Sequence, residues 1–569
     1  MHRPTDITKR SRAWSVQYLL SFAILLPAAA QFASAQQGNP VDDPPGRVGR
    51  ISVLSGSVSL QQGGDTAWSD ATLNYALTTG DRLYTAEGSR AEIELGMAAV
   101  RLWRSTDLTI TSLTDHLMQL GLAQGSIRVT LYRLDPNDSA EVDTPNGALT
   151  FTAAGSYRVD VAATGITTVS VDKGRIEVTG PGVVEIVSTG QAVLLTGADP
   201  ITIESVRHPN PDAFDQWSDS RDNRVALSPC SRYMSSDIPG CADLGETGQW
   251  TNDATYGFVW FPPLVLPGWV PYQWGHWVWI EPWGWTWVED EPWGYAPFHY
   301  GRWAHFDRGW GWIPGPIVPR PCYAPALVAF VGGSNFMIGF GVGVEAWFPL
   351  GPREPFFPWY HYSPRYLLVA NQTNVRGISD FNAFIHPTDL SSIRYVNRLA
   401  ATTVVPATTL SGGRSVVHDI IRATPAQVAP GQIAPHPSVA PTVGAIRGGK
   451  PAVRAPVGGR PPMVSGSGQR GGSPPPAVPR RGATPPAPPP RAGVPGRSGP
   501  GPIITRTPPP AGRPPFATRS QAMAQHPGRP LEPQQMRNLQ AGRPAGPQHD
   551  VEFPPHPPVS APRKPPTGG

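Results

Sequence analysis

The sequence predicts a mainly β protein in three parts: a twisted β-solenoid or sandwich domain, a small aromatic-rich antiparallel β module, and a long disordered tail. Three observations predict it. Residues 46–200 hold short runs that alternate apolar and polar, rich in Val, Ile and Thr and cut by Gly, Asp and Asn, the pattern of half-buried strands in sandwiches, barrels and solenoids. Residues 251–410 are crowded with Trp, Tyr, Gly and Pro, and 13 of the 19 tryptophans fall between positions 250 and 312. From 424 to 569 the chain is proline-rich and nearly free of aromatics, so it cannot bury enough apolar surface to offset the entropy of ordering.

At the N-terminus, Arg3, Lys9, Arg10 and Arg12 precede an apolar run over 14–30, followed by Ala33-Ser34-Ala35. This is the layout of a cleaved signal peptide over 1–35, and it predicts a periplasmic or secreted protein with no transmembrane span after cleavage. Retention of the run as an anchor is the alternative, since ~17 apolar residues just span a bilayer. In an oxidising compartment Cys230 and Cys241 are a candidate disulfide, with Cys322 left alone. No CxxC or clustered Cys/His spacing accompanies them, so no metal is expected.

Within 46–200 a sub-pattern recurs at Gly56-x-Val58-x-Leu60, Gly125-x-Ile127-x-Val129 and Gly174-x-Ile176-x-Val178. In each, a glycine turn launches a strand with one apolar face, and repetition of a unit favours winding or stacking. Residues 201–250 read as a polar linker. Phe214, Trp217 and Arg221 follow Pro211 at helical spacing, predicting a short amphipathic helix near 212–223, with the cysteine pair after it.

In the tryptophan block, Trp277/Trp279, Trp285/Trp287 and Trp310/Trp312 are each two apart, so in strands each pair shares a face. Pro271, Pro282, Pro292 and Pro297 separate these runs, suggesting a small antiparallel meander. One reading makes the rings a stacking surface for sugar rings, aromatic ligands or prolines: Trp277, Trp279, Trp285, Trp287, Trp293, Tyr295, Tyr300, Trp303, Trp310 and Trp312, with Glu289, Asp290 and Arg302 as polar anchors. The other has the indoles pack on one another in place of an aliphatic core, each aromatic pair adding ~1 kcal/mol beyond burial. Different faces can satisfy both.

The net charge of +4 hides an asymmetry. Residues 421–569 carry 18 basic and three acidic side chains (+15), leaving 28 basic against 39 acidic (−11) elsewhere. The tail suits an anionic surface polymer. Nucleic acid is not expected: single-strand platforms come with a basic groove, whereas between 250 and 312 Arg302 and Arg308 face six acidic residues. His276, His299 and His305 lie in sequence near Glu281, Glu289, Asp290, Glu291 and Asp307, but at no spacing with a known mechanism. No catalytic residue, metal or cofactor is expected.

Two resemblances add to this. Gly80-Asp81 with Thr85, the Gly88-Ser89-Arg90-Ala91 turn, Thr144-Pro145-Asn146-Gly147 and Gly190-Gln191 make residues 46–200 resemble a FecR-type periplasmic domain. That resemblance implies a twisted β domain that receives or relays a signal. Only residues 1–13 precede the apolar run, too few for a cytoplasmic sigma-binding domain, so direct transcriptional control is not implied. Residues 211–410 resemble a family of exported, tryptophan-rich proteins of unassigned function. Phe214, Trp217, Asp243-Leu244, Trp250, Pro271-Tyr272, the run from Trp283 to Val288, the run from Ala296 to Trp303, Gly311-Trp312, the run from Ala324 to Val328, and Trp347-Phe348-Pro349-Leu350 carry it. The expectation is an exported, non-enzymatic cell-envelope protein that binds a glycan, wall polymer or protein partner through the aromatic module. The alternative is an accessory of FecR-type extracytoplasmic signalling.

Overall fold

A computed structural model describes residues 43–448, except 264, 266, 334, 335, 337–342, 373 and 375–392, together with residues 503–544. The signal segment and its Ala33-Ser34-Ala35 site lie outside the described residues. The protein is mainly β, as its alternation predicts.

Strands between 49 and 206 form two sheets joined in one hydrogen-bonded network of 17 strands. The joint is the 15-residue strand Leu117–Leu131. Its first half pairs with Thr106–Leu113 and, in parallel, with Ser139–Asp143. Its second half pairs with Ala98–Leu102 and Gly155–Val161. Between the sheets lies an aliphatic core including Ile51, Leu60, Val100, Leu120, Ile127, Val159 and Val178, each at most 1% exposed.

The three repeated glycines mark where the chain changes sheet. Strand Gly49–Ser55 belongs to one sheet and, past Gly56, Val58–Gln61 to the other. The same change occurs at Gly174 between Thr167–Lys173 and Arg175–Gly180, and at Gly125 inside the joint strand. All three have positive φ (79°, 94° and 104°), a region open to glycine at little cost. At Gly125 a Cβ would also lie 2.4 Å from the Thr106 Cα. The repeated unit is therefore a sheet-to-sheet crossing, and at Gly125 it turns a continuing strand rather than launching a new one.

The expected linker is docked structure. The helix runs over Ala213–Leu227, longer than the spacing suggested, and starts on a capping box between Asp212 and Asp215. Phe214 stacks on Trp103 (5.1 Å), and Arg90 lies over the Trp217 ring. Ion pairs hold the rest: Asp215 with Arg128 and Arg158 (both 2.7 Å), Asp222 with Arg101 (2.8 Å), and Arg221 with Glu92 (2.6 Å). The helix is mostly charged on the face that meets the sheet, so electrostatics rather than an apolar stripe seats it. Cys230 and Cys241 form a disulfide with Cα atoms 5.6 Å apart.

The tryptophan region is three antiparallel sheets, not one meander. Gly275–Ile280 and Gly284–Glu289 form a hairpin that pairs Trp277 with Trp287 and Trp279 with Trp285. Gln249–Asp253, Gly257–Phe261, Gly309–Ile313 and Arg302–Phe306 make a four-stranded sheet. Thr403–Pro406, Val344–Pro349, Val328–Gly332 and Gln432–Ala434 make another. Both halves of the molecule share one continuous core.

Of the tail expected to be disordered over 424–569, residues 449–502 and 545–569 lie outside the described residues, while 424–448 and 503–544 carry structure. Gln432–Ala434 is an edge strand on Val328–Gly332, and residues 503–544 pack on the folded body, with Met523 1% and Leu531 6% exposed. These described parts of the tail lie against the surface of the body.

Candidate functional site

The ten candidate stacking rings come first. None is more than 8% exposed, and seven of them are at most 1% exposed. The hairpin that carries four of them is buried on both faces. Trp277 meets Trp287, Phe330, Trp347 and Trp359 at 5.4–6.5 Å, and Trp303 packs on Trp269 and Phe298. Most of these contacts are edge-to-face or tilted, the geometry the ring quadrupole favours. The expected stacking surface is thus corrected: in this fold these rings are the core, because a small module without enough Leu, Ile and Val has little else to bury.

Buried indoles need acceptors. Trp260, Trp303, Trp312 and Trp347 donate to the backbone carbonyls of Leu244, Pro297, Tyr300 and Tyr272. Trp279 donates to Glu281 (3.1 Å) and Trp287 to Glu289 (2.9 Å). A repeat of the form Trp-x-Trp-x-Glu, at Trp277 to Glu281 and Trp285 to Glu289, was legible in the sequence and marks these two acceptors. Their surroundings differ. Glu281 is paired with Arg519 at 2.7 Å. Among the described residues Glu289 has no ion pair with a cation; burial, then the charges of Asp290 and Glu291, push its carboxyl well above the usual range.

The expected polar groups are structural too. Burial pushes His299 down to about 3, while its Nδ1 meets the Ala324 carbonyl at 2.8 Å; the ring is neutral. Arg302 is buried and lowered to about 10 by desolvation, and it donates to the Glu354 carbonyl and Asn371. Asp290 stands 3.6 Å from His276. Among the described residues no group of three or more His, Cys, Asp or Glu is arranged to hold a metal ion.

A cavity of about 530 Å³ lies where the first sheets meet the tryptophan region. Val48, Leu95, Met97, Tyr300, Tyr366 and Val369 supply its apolar lining, and Arg47, Arg133, Arg320 and Arg365 its cations. Three of these arginines are committed: Arg320 to Asp135 and Asp138 (2.7 and 3.0 Å), Arg133 to Asp237 (2.8 Å), and Arg47 to Asp138 (3.3 Å). Arg365 is exposed and has no ion pair among the described residues. Burial pushes the Cys322 thiol up to about 12, which favours the protonated thiol. Sequence reasoning missed this site because its walls come from distant stretches with no shared motif.

Comparison with known proteins bears on the same region. Residues 241–354 match the model of a family of unknown function, DUF6600. That span is narrower than the expected 211–410 and brings no activity. No curated protein matches. Two solved structures of a candidate anti-sigma factor from Parabacteroides distasonis ATCC 8503 are each 18% identical, with a TM-score of 0.20. They cover 22% of this chain, which in turn spans 60% of theirs; so slight a likeness carries no argument. Among the described residues no helix is long and apolar enough to cross a membrane.

Proposed function

We propose that this is an exported, non-enzymatic interaction protein of the cell envelope whose partner docks at the seam cavity rather than on the tryptophan rings. The observation that carries the reading is Arg365: an exposed cation lining a cavity, with no ion pair among the described residues, where the other arginines are already paired. A cavity with apolar lining and one guanidinium that has no ion pair among the described residues suits an extended protein segment that presents a carboxylate beside an apolar side chain. A glycan would want a bare aromatic face, and the ten buried rings offer none.

A photo-crosslinking residue at Val369, in cells of the source organism, tests this. A discrete crosslinked protein from the envelope fraction is expected, lost when Arg365→Glu is added. Crosslinks only to polysaccharide, or a protein crosslink indifferent to Arg365→Glu, would overturn it. N-terminal sequencing of the mature chain tests export, with residue 36 expected first. Should the crosslinked partner be a membrane sensor, the signalling-accessory reading takes over the same seam.

A further inference from the structure

Residues 503–544 lie across both halves of the body, and each contact reads a feature of the segment. Ile504 bridges Thr144, its N–H donating to that carbonyl at 2.9 Å. Glu141 accepts from the N–H groups of Arg506 and Thr507 (3.1 Å each) and from the Thr507 hydroxyl (2.7 Å). Gln119 donates to the Thr507 carbonyl at 2.7 Å, and Arg506 reaches Glu177 at 2.5 Å. Arg513 donates to the carbonyls of Gly63 and Thr79. Gly64 lets this backbone approach, for a Cβ there would sit 2.7 Å from the Arg513 carbonyl oxygen. Arg519 then enters the tryptophan hairpin and pairs with Glu281, both side chains at most 4% exposed. Pro530 closes over Gly284 at the hairpin turn.

We propose that residues 503–544 are a displaceable peptide ligand on an arginine- and proline-reading groove, and that the groove accepts the same segment from a second copy of this chain. Charge complementarity supports the pairing: the segment carries six arginines against one glutamate, while Glu141, Glu177 and Glu281 line its path. It adds no strand to any of the sheets, unlike Gln432–Ala434, so the sheets stay hydrogen-bonded without it. Residues 449–502 separate it from the rest of the described chain. At about 3.3 Å per extended residue that connection is long enough for either copy's segment to reach a given groove.

The test uses the full chain with a protease site inserted within 449–502. After cleavage, the 503–569 fragment is expected to co-elute with the body. Excess labelled 503–544 peptide should replace it, and the same peptide carrying Arg519→Ala should compete at least tenfold less well. Uncleaved chain should form concentration-dependent dimers that the free wild-type peptide returns to monomers. A fragment that never exchanges marks a permanent part of the fold and overturns the proposal, as does equal competition by the Arg519→Ala peptide. Absence of dimers at any concentration overturns the second-copy claim.

Discussion

The sheets over residues 49–206 close over Val, Leu and Ile, whereas the hairpin and sheets beyond residue 249 close over indole. The aliphatic core asks nothing of its surroundings except exclusion of water. The aromatic core is different, because each ring carries an N–H that must find an acceptor or go without. Backbone carbonyls answer some, and two carboxylates, Glu281 and Glu289, are drawn inside to answer others. A buried carboxylate then calls for a cation or a proton. Glu281 takes Arg519 from the far end of the chain, and Trp285 donates to the Val439 carbonyl of the same tail. In the aromatic core the recruited group reaches the ring acceptors themselves, whereas around the aliphatic sheets the distant partners, such as Thr507 on Glu141 and Asp222 on Arg101, meet polar side chains of the strands.

The sharpest way to break this contrast is Arg519→Ala. It leaves Glu281 buried beside an indole N–H without its cation, and breaking a buried pair from one side costs about 3–5 kcal/mol. Urea denaturation should show that loss, and Glu281→Gln added to it should recover part. If Arg519→Ala costs under about 1 kcal/mol, the tail is not tied into the aromatic core. In the aliphatic half a backbone position gives the matching test. Gly125→Ala places a Cβ against Thr106 at positive φ and should cost roughly 3 kcal/mol or more, whereas Gly165→Ala, with open space around it, should cost only about 1–2 kcal/mol for its φ.

A smaller effect distinguishes the contacts of the tail by pH. Burial, then the hydrogen bond and charge of Glu141, push Asp143 up to about 8; burial pushes Glu345, which holds Ser438, up to about 7. The unfolded chain loses these protons near 4, so between about pH 4 and 8 the folded state binds more protons. Their stabilisation is present below about pH 4 and fades as pH rises through those values. Asp143→Asn should flatten that decline, read from unfolding midpoints at pH 5 and 8; an unchanged slope would remove Asp143 from the account. Smallest of all, acrylamide should quench the folded protein's emission weakly, through half-buried rings such as Trp217, Trp250 and Trp274. A chain truncated before residue 503 should show more quenching; no change would mean that the tail does not shield the hairpin.

Period-two alternation made the first sheets legible, and the glycine pattern marked the crossings without revealing that they were crossings. Trp-x-Trp spacing placed Trp277 with Trp279 and Trp285 with Trp287 on shared faces, as the hairpin register confirms. What spacing could not say was which way those faces point. Phe214, Trp217 and Arg221 were rightly placed on one helix, and its capping box between Asp212 and Asp215 is local, yet its ion pairs with Arg101, Arg128 and Arg158 depend on partners dozens of residues away. The seam cavity was invisible for the same reason, since Arg47, Arg133, Arg320 and Arg365 meet only when the halves close.

By itself the sequence determined what is local: strand periodicity, the glycines that must take positive φ, the helix start at Asp212, and the low apolar content of the tail. Tertiary structure alone decided whether the indoles face solvent or each other, where Arg519 goes, and that the tail lies on the body. Burial and charge pairing depend on what arrives from elsewhere in the chain, and no short window of residues contains that information.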